Sequence, residues 1–115
     1  MTQVNWFEIP AQDVGRAVEF YGTVLGEPLG EMDGPDGQMH VFMGADGPAG
    51  QLAQGEPVAG GVTIYLDCAD IDAALGRVEA AGGAVVQTRT SIGPFGFVGQ
   101  FTDSEGNTVA LHTGL

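Results

Sequence analysis

The sequence predicts an α+β fold built from two βαβββ modules fused in a single domain, module one over 1–57 and module two over 58–115. Three observations carry this. A short apolar strand followed by an amphipathic helical stretch occurs twice. Glycine, 20 residues in all, closes the helical stretches and punctuates the strand-like runs between them. A length of 115 residues is one domain's worth of chain, enough to bury a core without disulfides or metals.

Val4-Asn5-Trp6-Phe7-Glu8-Ile9 is the first predicted strand. Phe7 and Ile9 share one face and Trp6 and Glu8 the other, because successive side chains alternate. Asp13 is placed to cap a helix, and Val14, Ala17, Val18, Tyr21, Val24 and Leu25 follow at spacings of three and four. Gly26 ends it. Three strands are expected next, around 28–32, 39–43 and 50–53, and then a linker over 57–61.

Val62-Thr63-Ile64-Tyr65-Leu66 opens the second pass, ahead of Asp70. A helix is expected with Ile71, Ala74, Leu75, Val78 and Ala81 on one face, ending at Gly82-Gly83. Strands are expected around 84–88, 97–101 and 108–112, the last two joined by the hairpin turn Asp103-Ser104-Glu105-Gly106-Asn107. Laying Asp13 on Asp70 brings Phe7 onto Ile64, Ile9 onto Leu66, Val14 onto Ile71 and Val18 onto Leu75. The unit is therefore repeated. One helix cannot cover both faces of such a sheet, so the pairing of modules is expected to leave a concave sheet surface as the place for a ligand.

Composition removes several function classes. Fifteen acids against three bases, all arginine, give a net charge of −12, which repels phosphate backbones and anionic lipid; neither nucleic acid nor a membrane is an expected partner. The charge fits a solvated acidic surface, with adaptation to high salt as the alternative. No run of 18 apolar residues exists, and MTQVNWFEIP has no basic flank or apolar stretch of the signal-peptide kind. The single cysteine, Cys68, cannot form an internal disulfide, which fits a reducing cytoplasm.

In order and spacing, Asp13-Val14, Ala17-Val18-Glu19-Phe20-Tyr21 and Val24-Leu25-Gly26 in the first module, with Asp70-Ile71-Asp72-Ala73-Ala74-Leu75, Ala80-Ala81-Gly82-Gly83, Phe101-Thr102-Asp103-Ser104-Glu105-Gly106-Asn107 and Leu111-His112 in the second, resemble the vicinal oxygen chelate superfamily of glyoxalase, bleomycin resistance and dioxygenase-like proteins. The resemblance implies a half-open barrel around a cleft, a homodimer, and activities from isomerisation and ring cleavage to drug sequestration. It also implies one divalent metal held by His, Glu or Gln. Carried over, the ligand positions fall on Trp6 (or Asn5), on Gln51 or Leu52, on Thr63 and on Ala110. Trp, Thr and Ala are not divalent-metal ligands here, so no metal and no other cofactor is expected.

Strand alternation assigns Trp6, Glu8, Thr63, Tyr65, Ala110 and His112 to the concave side, and His40 and Phe42 are expected to join them. Trp6 reads as an aromatic wall for a planar ligand or as a residue buried under a loop or dimer contact. Glu8 reads as a general base or as a hydrogen-bonded rim residue. His40, His112 and Glu8 would make a two-histidine, one-carboxylate site if they converged; otherwise the histidines are hydrogen-bonded edge residues. Ser91–Phe97, rich in Gly, Pro and Phe, is expected to flap over the cleft mouth with Phe95 toward the ligand. The first functional expectation is a metal-free binder of a small apolar or aromatic ligand, favoured if cationic. The alternatives are an isomerase, lyase or dioxygenase using Glu8 or a rearranged metal site, and an accessory dimerisation domain with a vestigial pocket.

Overall fold

The computed structural model describes residues 2–58 and 61–115; residues 59 and 60 of the expected linker lie outside them. The chain divides into two compact units, one of residues 6–62 and one of residues 63–115 together with the residues up to Asn5. Each unit is a βαβββ module.

In the first unit, β1 (Val4–Ala11) leads into α1 (Val14–Leu25), then β2 (Gly30–Gly34), β3 (Gly37–Gly44) and β4 (Gly47–Gln54). β4 returns to lie parallel to β1, and β3 and β2 follow antiparallel beyond it. The Asp13 carboxylate accepts from the Arg16 backbone N–H at 3.0 Å and caps α1. Gly26 closes the helix at φ 79°, a left-handed conformation that a residue with a Cβ adopts only under strain. Phe7, Gly50 and Phe42 lie in register across β1, β4 and β3. The Phe7 and Phe42 rings meet at 5.4 Å, and Tyr21 of α1 stands edge-on to Phe42 at 5.3 Å. This row is the helix-side packing of the module. It holds α1 by one flank only: Phe20, Val24 and Leu25 remain more than half exposed.

In the second unit, β5 (Thr63–Asp67) leads into α2 (Ile71–Gly76), then β6 (Ala84–Ser91), a 3-10 turn (Gly93–Phe95), β7 (Phe97–Thr102) and β8 (Thr108–Thr113). The pairing repeats that of the first unit: β8 parallel to β5, β7 antiparallel to β8, β6 antiparallel to β7. Asp70 caps α2 as Asp13 caps α1, accepting from the Ala73 N–H at 3.0 Å. The core is Ile71, Leu75 and Leu111, with Leu66, Val78, Val85, Phe97 and Phe101 around them.

Two expectations need correction. The second helix does not run through Ala81. It ends at Gly76, and the chain continues as turns whose N–H groups of Arg77 and Val78 reach three residues back, to the carbonyls of Ala74 and Leu75. A glycine inside a short helix costs about 1 kcal/mol relative to alanine, and the chain tightens there. The strands are also longer than the apolar runs that announce them, because glycine and polar residues at β3, β4 and β6 are carried by the hydrogen-bond ladder of their neighbours. No helix among the described residues is long and apolar enough to cross a membrane.

Candidate functional site

Glu8 lies opposite Gln51, and Gln51 opposite Val41, in the row adjacent to Phe7–Gly50–Phe42. Neighbouring residues on a strand point to opposite faces, so this row faces away from α1. Trp6 shares its parity with Glu8 and stands on the same face. The Gln51 side-chain amide donates to Glu8 Oε2 at 2.7 Å, a short bond to an ionisable acceptor. Val41 retains only 1% of its surface, and Glu8, Gln51 and Trp6 are half-buried, so the carboxylate sits in sheltered surroundings.

The same register removes two expected members of this face. Phe42 packs on the α1 side against Phe7 and Tyr21. His40, two residues earlier, lies on that side as well, in register with Leu52 and Glu31, and its Nδ1 is 3.7 Å from the Glu31 carboxylate. The cause is the pairing of β3: Val41, not its neighbours, falls opposite Gln51. A shift of one residue in register exchanges the faces of every side chain on a strand.

In the second unit the equivalent row is Tyr65, Ala110 and Gln100. It faces away from α2, since the adjacent row contains Leu111 and Gly99, and Gly99 lies directly under Ile71 and Leu75. Tyr65 is 9% and Ala110 0% exposed. Where the first module carries a carboxylate and an amide, the second carries a phenol ring and a methyl group. Thr63 and His112 share the parity of Tyr65 and Ala110. Both ring nitrogens of His112 are engaged: Nε2 lies 2.7 Å from the Phe95 carbonyl and Nδ1 3.0 Å from Asn5 Nδ2. Phe95 is half-buried in its 3-10 turn.

Glu8 and His40 thus stand on opposite faces of one sheet, and His112 is bound on both nitrogens. Among the described residues no three of His, Cys, Asp and Glu gather closely enough to hold a metal ion. A shallow, open groove of about 440 Å³ runs along α1 and the loop after it, lined by Val18, Gly22, Thr23 and Pro28 among others. None of the residues of the Glu8 face lines it.

The sequence profile of the Glyoxalase/Bleomycin resistance protein/Dioxygenase superfamily matches residues 3–111. This chain belongs to that superfamily. A glyoxylase-like domain-containing protein of Didymella fabae is 32% identical over 96% of this chain and 93% of its own length. A Mycolicibacterium smegmatis protein is 33% identical over 74% of this chain and 72% of its own length. Among solved structures, a methylmalonyl-CoA epimerase of Streptomyces coelicolor superposes with a TM-score of 0.64 at 21% identity, covering 97% of this chain and 94% of that one. The Mn(II)-bound glyoxalase of Novosphingobium aromaticivorans gives a TM-score of 0.67 at 24% identity, covering 96% of this chain and 38% of that one. At such identities these likenesses concern the fold.

The metal that this superfamily's fold implies does not fit the residues present. Ala110 is fully buried and has no side-chain donor atom, Trp6 has no oxygen or basic nitrogen, and Thr63 brings only a neutral hydroxyl at the corresponding strand positions. Gln51 has a usable oxygen, but its amide nitrogen is committed to Glu8. The sequence singles out Glu8, whereas Gln51 enters only as one of two ligand positions, with Leu52, that the resemblance implies. The register on the parallel pair β1–β4 is what makes them partners.

Proposed function

We propose that this superfamily member binds a small aromatic molecule bearing a cationic or hydrogen-bond-donating group, without a divalent metal, and that the Glu8–Gln51 pair is its polar anchor. The observation that carries the reading is the 2.7 Å hydrogen bond from Gln51 to Glu8 Oε2 on a sheltered sheet face that also holds Trp6. Gln51 fixes the carboxylate's rotamer and leaves its other oxygen to meet a donor on the ligand. Binding faces that use a few placed polar groups among apolar ones obtain orientation from the former and affinity from the latter. Trp6 would supply a ring to stack on. A chain of net charge −12 also concentrates cations around itself. The lone, unpaired Cys68 is compatible with a cytoplasmic setting.

Trp6 is the single tryptophan, so its fluorescence reports on this face alone. Titration with benzylammonium is expected to quench it saturably, and benzoate to do so far more weakly. Glu8→Gln is expected to weaken benzylammonium binding about 10- to 100-fold, the worth of a hydrogen bond to a charged group. Equal binding of the two probes, or an unaffected Glu8→Gln variant, overturns the anchor. A stoichiometric divalent ion in elemental analysis of the purified protein overturns the metal-free part.

A further inference from the structure

We propose that His112 is a positioning residue, a latch that holds the turn after β6 in place, and that Asn5 sets the latch by fixing where the imidazole carries its proton. Each partner of the imidazole can bond in one sense only. The Phe95 carbonyl can only accept, so the nitrogen 2.7 Å from it, Nε2, carries the proton and donates. Asn5 Nδ2 can only donate, so Nδ1 at 3.0 Å is the bare nitrogen and accepts. The orientation of the Asn5 amide is decided independently: Nδ2 also donates to Asp67 Oδ1 at 3.3 Å, and turning the amide over would set its oxygen against that carboxylate. The buried Asn5 Oδ1 has no hydrogen-bond partner. The amide is therefore held by its two donor contacts and not by its acceptor. The Asp67 carboxylate meets the pair through Asn5.

The turn needs an outside hold. Its internal bonds are Ile92 N–H to the Gly96 carbonyl at 2.9 Å, Gly96 N–H to the Gly93 carbonyl at 3.2 Å, and Gly93 N–H to Ser91 Oγ at 3.2 Å. None uses the Phe95 carbonyl. That group is bound by His112, which stands on β8, 17 residues further along the chain. The histidine thus ties a turn containing two glycines and a proline to the end of β8, a strand paired on both sides. This role is separate from the ligand reading of Glu8, and its test requires no ligand.

In uniformly ¹⁵N-labelled protein at neutral pH, long-range ¹H–¹⁵N correlation is expected to show His112 as the Nε2–H tautomer. His112→Leu is expected to speed hydrogen exchange of the Ile92 and Gly96 amides about tenfold or more, the worth of one hydrogen bond, with the Leu111 amide unchanged. His112→Gln, whose amide nitrogen can reach the Phe95 carbonyl, is expected to restore most of the protection. Asn5→Asp replaces the donor on Nδ1 by an acceptor and is expected to bring a proton onto Nδ1. That signature is read in the spectrum of the variant even if His112→Leu does not fold. An Nδ1–H tautomer in the parent protein, an Asn5→Asp ring unchanged in protonation, or turn amides indifferent to His112→Leu overturns the proposal.

Discussion

Replacing Gly50 by alanine tests the register that sorts the two faces of the first module. A Cβ built on Gly50 meets three atoms of the Phe7 ring at 2.7 Å, closer than carbon atoms approach one another. The ring has no room to move across toward β3, because Phe42, which flanks Gly50 from that strand, lies 5.4 Å from it and is itself braced by Tyr21. Overpacking of this kind costs about 1–3 kcal/mol. Against this, alanine restricts the unfolded chain and returns about 0.4–1 kcal/mol. Gly50 is not among the positive-φ glycines, so no backbone strain enters. The net expectation for Gly50→Ala is a loss of about 1–2 kcal/mol in urea denaturation at unchanged slope. Phe7→Ala removes the atoms in the way, and in that background Gly50→Ala is expected to be neutral or mildly stabilising. The coupling between the two substitutions is then about 1–3 kcal/mol, the size of the overpacking cost itself. Additive behaviour, or a stabilised Gly50→Ala single variant, would mean that Phe7 does not stand over Gly50, and the assignment of Phe42 and His40 to the α1 side would fall with it.

Other perturbations read other parts of the structure. Ile71 retains 1% of its surface, and Ile71→Ala is expected to cost about 3 kcal/mol, measured by the same denaturation. The Asp103 carboxyl is held below its ordinary value by the Asn107 side-chain amide first, then by the backbone N–H groups of Asn107 and Glu105. Its support of the turn is therefore complete above the pKa of an unfolded aspartate and is lost only as pH falls through the lower folded value. NMR titration of the Asp103 carboxyl carbon is expected to show a midpoint below that of unstructured aspartates, and a midpoint at or above theirs would refute the hydrogen-bond account.

Most of the architecture was legible in the sequence because its signals are local. Asp13 and Asp70 cap helices where the apolar period begins, and Gly26 ends α1 where the period stops. The doubled pattern at an offset of 57 residues foretells two sets of four strands with the same pairing scheme. What was not legible depends on pairing between distant strands. Whether Val41 or its neighbours join Glu8 depends on where β3 meets β4, and a bulge between Phe42 and Met43 shifts that count on an apolar stretch with no alternation of its own. The early end of α2 was missed because Val78 and Ala81 keep helical spacing even though the backbone passes through turns from Arg77 onward. The partnerships of Gln51 with Glu8 and of Asn5 with His112 span 43 and 107 residues, beyond the reach of any motif.

Gln3 and Asn5 group with the later half of the chain: the Gln3 carbonyl accepts from the Asp67 N–H at 2.9 Å, and the Asn5 amide clamps His112. Splitting the coding sequence at the linker would therefore not release two autonomous copies of an ancestral half, because the downstream fragment would be missing a piece that only the leading residues provide. The second repeat is thus completed by residues that precede the first, and a recombination event that moves it alone would have to carry the first few codons along with it.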